Sequence, residues 1–142
     1  MTAADPERVA LAGLFRGSPL AGGLSVVGNL AVFYGAQMAG VSVNIPDGPG
    51  SPNLVPLELP PVIISSLMPA FAAAIILAVL GRLSRSPLRI FRVLAVVVLL
   101  LSFIPVFLLP VGLGAKLVLS LMHLVSGVVI TGVLLRFGRE AG

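Results

Sequence analysis

The chain contains no cysteine, which excludes disulfide stapling and thiol redox chemistry. It has no tryptophan and one tyrosine, so the aromatic belt that commonly marks a membrane–water boundary is thin. Charge is also scarce. Asp, Glu, Lys and Arg make up 10% of 142 residues, against about 25% in a typical soluble domain. Too few charges remain to coat a surface facing water. The acids, Asp5, Glu7, Asp47, Glu58 and Glu140, all lie outside the apolar stretches, so the buried carboxylate usual in proton-coupled transporters is missing. Paired carboxylates, a G-x-S-x-G turn, a phosphate-binding glycine loop and metal-ligand spacing are missing too. The sequence therefore points to no catalysis, no metal and no cofactor.

What is abundant is hydrophobicity: 58% of the residues, with a mean hydropathy of +1.15. The charges punctuate four apolar stretches, which predict spans of about 19–41, 60–81, 88–109 and 115–136. Each can cross a hydrocarbon layer about 30 Å thick as a helix rising about 1.5 Å per residue. Spanning backbone must satisfy its own hydrogen bonds, which favours helices over open strands. The expected fold is an all-α integral membrane protein, an antiparallel four-helix transmembrane bundle with a Pro/Gly-rich outer loop over residues 42–60. Within that loop Val41, Val43 and Ile45, and later Val55, Leu57 and Leu59, alternate with other residues. They suggest either a small hairpin or a proline-stiffened connector. The 110–114 link, PVGLG, reads as a tight turn between antiparallel neighbours.

Local signals refine the boundaries. Ser86-Pro87 reads as an N-cap and first-turn proline opening the third helix, and Gly81 as the stop of the second. Asp5-Pro6 ahead of Val9, Leu11, Leu14 and Phe15 suggests a short helix over 6–16 on the membrane surface, or else a frayed tail. The first span is too long, and too close to upstream acids, for a typical cleaved signal peptide. Eight arginines, Arg8, Arg16, Arg82, Arg85, Arg89, Arg92, Arg136 and Arg139, fall on one side of the predicted membrane, and Lys116 alone on the other. That bias predicts cytoplasmic termini. Basic residues confined to a membrane face do not support nucleic-acid binding.

Apolar packing alone does not drive helices together in lipid; small residues and interhelical hydrogen bonds do. Ser18, Gly22, Ser25 and Asn29 share one face of the first helix, and Lys116, Ser120, His123, Gly127 and Thr131 one face of the fourth. These stripes are expected to touch or to line a shared interior. Helix rise places Asn29 roughly 14 Å, His123 roughly 18 Å and Ser102 roughly 20 Å from the cytoplasmic side, with Ser65 and Ser66 nearer the outside. Pro69 and Pro105 should release the Ser65 and Leu101 carbonyls.

His123 is thus expected to be neutral and bonded to Asn29, Ser102 or the Leu101 carbonyl. It is either an interhelical bonding residue or part of a ligand site made of His123, Asn29, Ser102 and Ser120. No acid accompanies the Ser120–His123 pair, so a hydrolase is not supported. Arg82, Arg85, Arg89 and Lys116 are candidates for lipid head groups, or simply topology determinants and an interface anchor. Met38, Met68 and Met122 are expected to pack. Two functional readings follow: a structural or accessory membrane subunit, as a homo-oligomer or part of a larger complex, or a binder (or transporter) of a small apolar ligand such as a lipid or quinone. Membrane lipids are partners in either case.

The stretches GNLAVFYGAQMAGVSVNIP, RLSRSPLRIFRVLAVVVLLLSFIP and KLVLSLMHLVSGVVI resemble a widespread group of small bacterial four-span membrane proteins carrying a domain of unknown function. The likeness runs from about Gly28 to Leu135. It rests on Asn29, the basic link from Arg82 to Arg92, and the LMHL element at Leu121 to Leu124. It implies a bacterial plasma membrane and no activity that can be transferred.

Overall fold

The structure, a computed structural model, describes residues 8–48 and 50–139. Helices α1 (Leu11–Met38), α2 (Leu59–Leu83), α3 (Pro87–Leu108) and α4 (Leu113–Phe137) follow in order, with strands β1 (Asn44–Pro46) and β2 (Leu54–Pro56) between α1 and α2. All four helices are long and apolar enough to cross a membrane. Even the shortest, α3 with 22 residues, reaches about 33 Å. Their outward faces carry a girdle of exposed aliphatic side chains, such as Val96, Val97, Val98 and Leu100 on α3. An apolar surface this continuous is solvated by lipid, not water.

The helices run antiparallel in a ring. α1 packs along both α2 and α4, and α3 closes the ring against α4 and, less extensively, α2. The first and last described residues, Arg8 and Arg139, and the α2–α3 link lie at one end, here the terminal end. There Ala10 N–H donates to the Gly138 carbonyl at 3.0 Å, and Val9 bridges to Arg139. The opposite, hairpin end carries β1 and β2, paired antiparallel with Ile45 opposite Val55. Gly40, at φ 74°, lets the chain leave α1 in the left-handed region that side chains avoid.

Two boundaries differ from the sequence reading. α1 is one continuous helix from Leu11 through Pro19, so residues 11–16 belong to it rather than to a separate surface helix; Asp5 and Pro6 lie outside the described residues. Tertiary contact overrides the proline here. Leu14 is buried with Leu134, and Cβ atoms at Gly13 or Gly17 would collide with Phe137. α2 likewise runs past Gly81 to Leu83. A Cβ on Gly81 would meet Val9 Cβ at 2.8 Å, so this glycine admits the crossing N-terminal segment instead of ending the helix. At the start of α3, Pro87 holds the first position, but Ser86 makes no side-chain cap; its N–H donates to Ser84 Oγ at 3.1 Å.

The interior is divided. One apolar cluster at the terminal end joins Leu14 and Ala21 to Ala70, Leu77, Ile130 and Leu134. A smaller one at the hairpin end joins Phe33, Val62 and Met122. Met122 therefore packs as expected, whereas Met38 and Met68 face outward, 90% and 64% exposed. Between the clusters lies a polar layer, one helical turn from each: Asn29 before Phe33, Ser66 between Val62 and Ala70, Ser126 between Met122 and Ile130.

Candidate functional site

The polar layer centres on Asn29, 4% exposed. Its Nδ2 donates to Ser66 Oγ and to Ser126 Oγ, each at 2.8 Å, so one amide links α1, α2 and α4. Ser66 Oγ in turn lies 2.6 Å from the Val62 carbonyl. A carbonyl only accepts, so the Ser66 hydrogen points there and its oxygen must accept from Asn29. That requirement orients the amide: Nδ2 faces the serines and Oδ1 faces away. Oδ1 is buried and has no partner among the described residues. Ser25 Oγ and Ser120 Oγ are buried without partners as well. A serine hydroxyl can rotate toward a carbonyl of its own helix; the Asn29 amide is held by both its hydrogens.

Beside this layer is a cavity of about 580 Å³, within the 300–1,000 Å³ range usual for small-molecule sites. Its walls come from α2, α3 and α4, with Asn29 contributed by α1 and Ile45 and Leu57 by the hairpin region. Along α2 it extends from Pro61 to Ile76, roughly 22 Å of helix. The lining is mostly apolar; the polar members are Asn29, Ser65, Ser102, His123, Ser126 and Thr131. Ser65, Pro69 and Ile76 of α2, and Leu94 and Val98 of α3, line the cavity while remaining exposed. The space therefore opens sideways between α2 and α3, toward the surrounding lipid.

The residues singled out from the sequence fall as follows. His123, Asn29 and Ser102 all line this cavity. Ser120 does not contribute to its wall. His123 bonds neither Asn29 nor Ser102 nor Leu101: its Nδ1 lies 2.8 Å from the Leu119 carbonyl, one turn back on its own helix. Ser102 donates to the Leu99 carbonyl at 2.6 Å. The stripe on α1 is buried as a unit, Ser18, Gly22, Ser25 and Asn29. The stripe on α4 turns toward α3 and the cavity, where Gly127 makes room for Leu99. The two stripes therefore share an interior but do not pack on each other. At the α1–α4 contact Gly28 accommodates Val125 instead.

Two participants were missed. Ser66, expected nearer the outside than Asn29, is its direct partner. α1 starts at Leu11 rather than near residue 19, which puts Asn29 about 27 Å from the terminal end, level with Ser66. Ser126 lies one turn from Met122 and Ile130, both on the buried face, which is the one signal that points to it.

Among the basic residues, Arg82, Arg85, Arg89 and Arg92 are exposed at the terminal end. Lys116 is at the hairpin end and does not join them. Its Nζ donates to the Phe107 carbonyl at 2.8 Å. That carbonyl is in the last turn of α3, where acceptors lack helical partners and the helix dipole is negative. The dipole that disfavours a cation at the start of α4 is thus offset by the end of its neighbour.

A comparison with curated proteins gave no match, and a comparison with solved structures gave none. A family model does match residues 9–140, nearly the whole chain. The four-span membrane bundle described above belongs to the family of unknown function DUF6069.

Proposed function

We propose that this protein binds a small apolar or amphipathic molecule, such as a lipid or quinone, inside the bilayer. The observation that carries this reading is the lateral cavity of about 580 Å³ with a polar belt at mid-depth. A ligand dissolved in the membrane reaches such a site between α2 and α3 without crossing water. Its apolar body lies against Ala72, Ile76, Phe91 and Leu94, and its polar end meets Asn29, His123, Ser102 and Ser126. Mass spectrometry of molecules retained after gentle extraction tests the reading. The wild type should carry a bound amphiphile that Asn29→Ala and His123→Ala lose while remaining folded; retention unchanged by both substitutions rejects it.

A second reading, assembly with another copy or a larger membrane complex, is favoured by Gly23, Gly35 and Gly132. These are exposed, and a Cβ on each would meet nothing within 4 Å. Glycines facing outward allow a foreign helix to approach closely. Crosslinking between Gly23→Cys protomers in native membranes tests it; a purely monomeric pattern counts against it.

In either case we propose that both termini lie in the cytoplasm of a bacterium and the bundle in its plasma membrane; the eight arginines confined to one side support the orientation. Arg82, Arg85 and Arg89 then face anionic head groups of the inner leaflet. Reporters active only in the cytoplasm, fused at each terminus, should both give signal.

A further inference from the structure

We infer that the molecule held in the cavity carries a hydroxyl-type hydrogen-bond donor at its polar end: a quinol or a long-chain or ring alcohol, in preference to the corresponding quinone, ketone or ether. The inference rests on the binding reading above and adds to it the chemistry of the head group.

The polar belt has spent most of its hydrogens internally. Both Asn29 Nδ2 hydrogens go to Ser66 and Ser126. The Ser65 hydroxyl donates to the Val62 carbonyl at 3.2 Å and that of Ser102 to the Leu99 carbonyl. His123 Nδ1 faces a carbonyl, which can only accept. Nδ1 therefore carries a hydrogen, and in that tautomer Nε2 is left as a lone-pair acceptor. What remains facing the cavity is one fixed acceptor, His123 Nε2; Asn29 Oδ1 is unpartnered as well but is buried out of a ligand's reach. The hydrogens still uncommitted sit on the rotatable hydroxyls of Ser126 and Thr131.

Selectivity follows from the mismatch. In hydrocarbon there is no water to satisfy an orphaned imidazole nitrogen, and leaving an acceptor unpaired is the costly side of hydrogen bonding. An alcohol or quinol supplies the missing hydrogen and can also accept from Ser126 or Thr131. A ketone, quinone or ether can only accept; it answers the serine and threonine hydroxyls but leaves His123 Nε2 unsatisfied.

A matched pair of photoreactive probes tests this with the full-length protein in nanodiscs. One is a sixteen-carbon alcohol bearing a diazirine, on the order of the cavity's length; the other is its methyl ether. The alcohol should label cavity residues about tenfold more efficiently than the ether at equal concentration. His123→Leu removes an acceptor without touching the network between helices and should cut that ratio, while His123→Gln, which keeps an acceptor, should restore part of it. A ratio unchanged by both His123 variants would overturn the assignment of the acceptor to His123. Equal labelling of cavity residues by alcohol and ether overturns the donor requirement and leaves cavity binding intact. Labelling of cavity residues by neither probe overturns both.

Discussion

α1 and α3 are both membrane-spanning helices, yet they are built on opposite terms. α1 is the least apolar of the four, and 33% of its apolar 18-residue stretch is buried; α3 is the most apolar, and 11% of its stretch is buried. In water the order would be reversed. In lipid a valine gains nothing by turning inward, so burial follows small size and the ability to hydrogen-bond. α1 offers Gly17, Ser18, Gly22, Ser25 and Asn29 to its neighbours. α3 offers Leu and Val, which lipid solvates equally well. The consequence is that α1 packs tightly on both α2 and α4, tied to them by one asparagine, while α3 closes the ring loosely enough to leave a cavity.

The difference is broken most severely by crowding the tight side. Gly28→Leu places a branched side chain where even a Cβ would stand 2.7 Å from Val125 Cγ1. Overpacking of this kind costs about 3 kcal/mol, and the variant should unfold at markedly lower denaturant concentration in nanodiscs. A leucine at the outward-facing Val97 of α3 should leave the unfolding curve within about 0.5 kcal/mol of wild type. Equal sensitivity at the two sites would erase the contrast between the helices.

Removing the tie is the next effect in size. Asn29→Leu gives up two hydrogen bonds, but it also removes the unsatisfied Oδ1. Interhelical hydrogen bonds in membranes average about 0.6 kcal/mol each, so the net loss should be about 1 kcal/mol. The double variant with Ser126→Ala should add little, because both changes remove the same bond. Additive losses would mean that the serine contributes through contacts other than Asn29.

These expectations also show what was readable in the sequence. Charge spacing marks the four helices, because lipid forbids unpaired charge along a span. The α1 stripe is legible as a 3.6-residue pattern. Its partners are not: whether Asn29 meets α2, α3 or α4 depends on the order of helices around the ring, which no local pattern encodes. His123 looked like an interhelical residue because it is alone, but its nearest acceptor is the Leu119 carbonyl of its own helix. Charge spacing starts the first span near residue 19, past Arg16, whereas α1 begins at Leu11, where Gly13 and Gly17 let it approach Phe137 closely. The Lys116 contact depends on α3 ending beside the start of α4, again a matter of tertiary placement.

That contact gives a smaller prediction. Lys116→Met removes the donor to the Phe107 carbonyl at the exposed hairpin end. Water and head groups can replace it, so the loss should stay below about 1 kcal/mol. Amide exchange at the C-terminal turn of α3 should nevertheless quicken relative to that of α4; unchanged protection there would mean the lysine does not hold the turn.

The least perturbing change sharpens the comparison furthest, because it separates looseness from instability. Ala72 lines the cavity from α2 and is exposed. Leucine at this position extends into space that no side chain of the protein occupies, so no packing is sacrificed and α2 keeps a good helix former. Unfolding in nanodiscs should shift by no more than about 0.5 kcal/mol, while retention of the copurifying amphiphile should fall sharply. If instead Ala72→Leu destabilised the fold as Gly28→Leu is expected to, the gap between α2 and α3 would be a packed interface in the working protein, and the loose closure of the ring by α3 would have no bearing on binding.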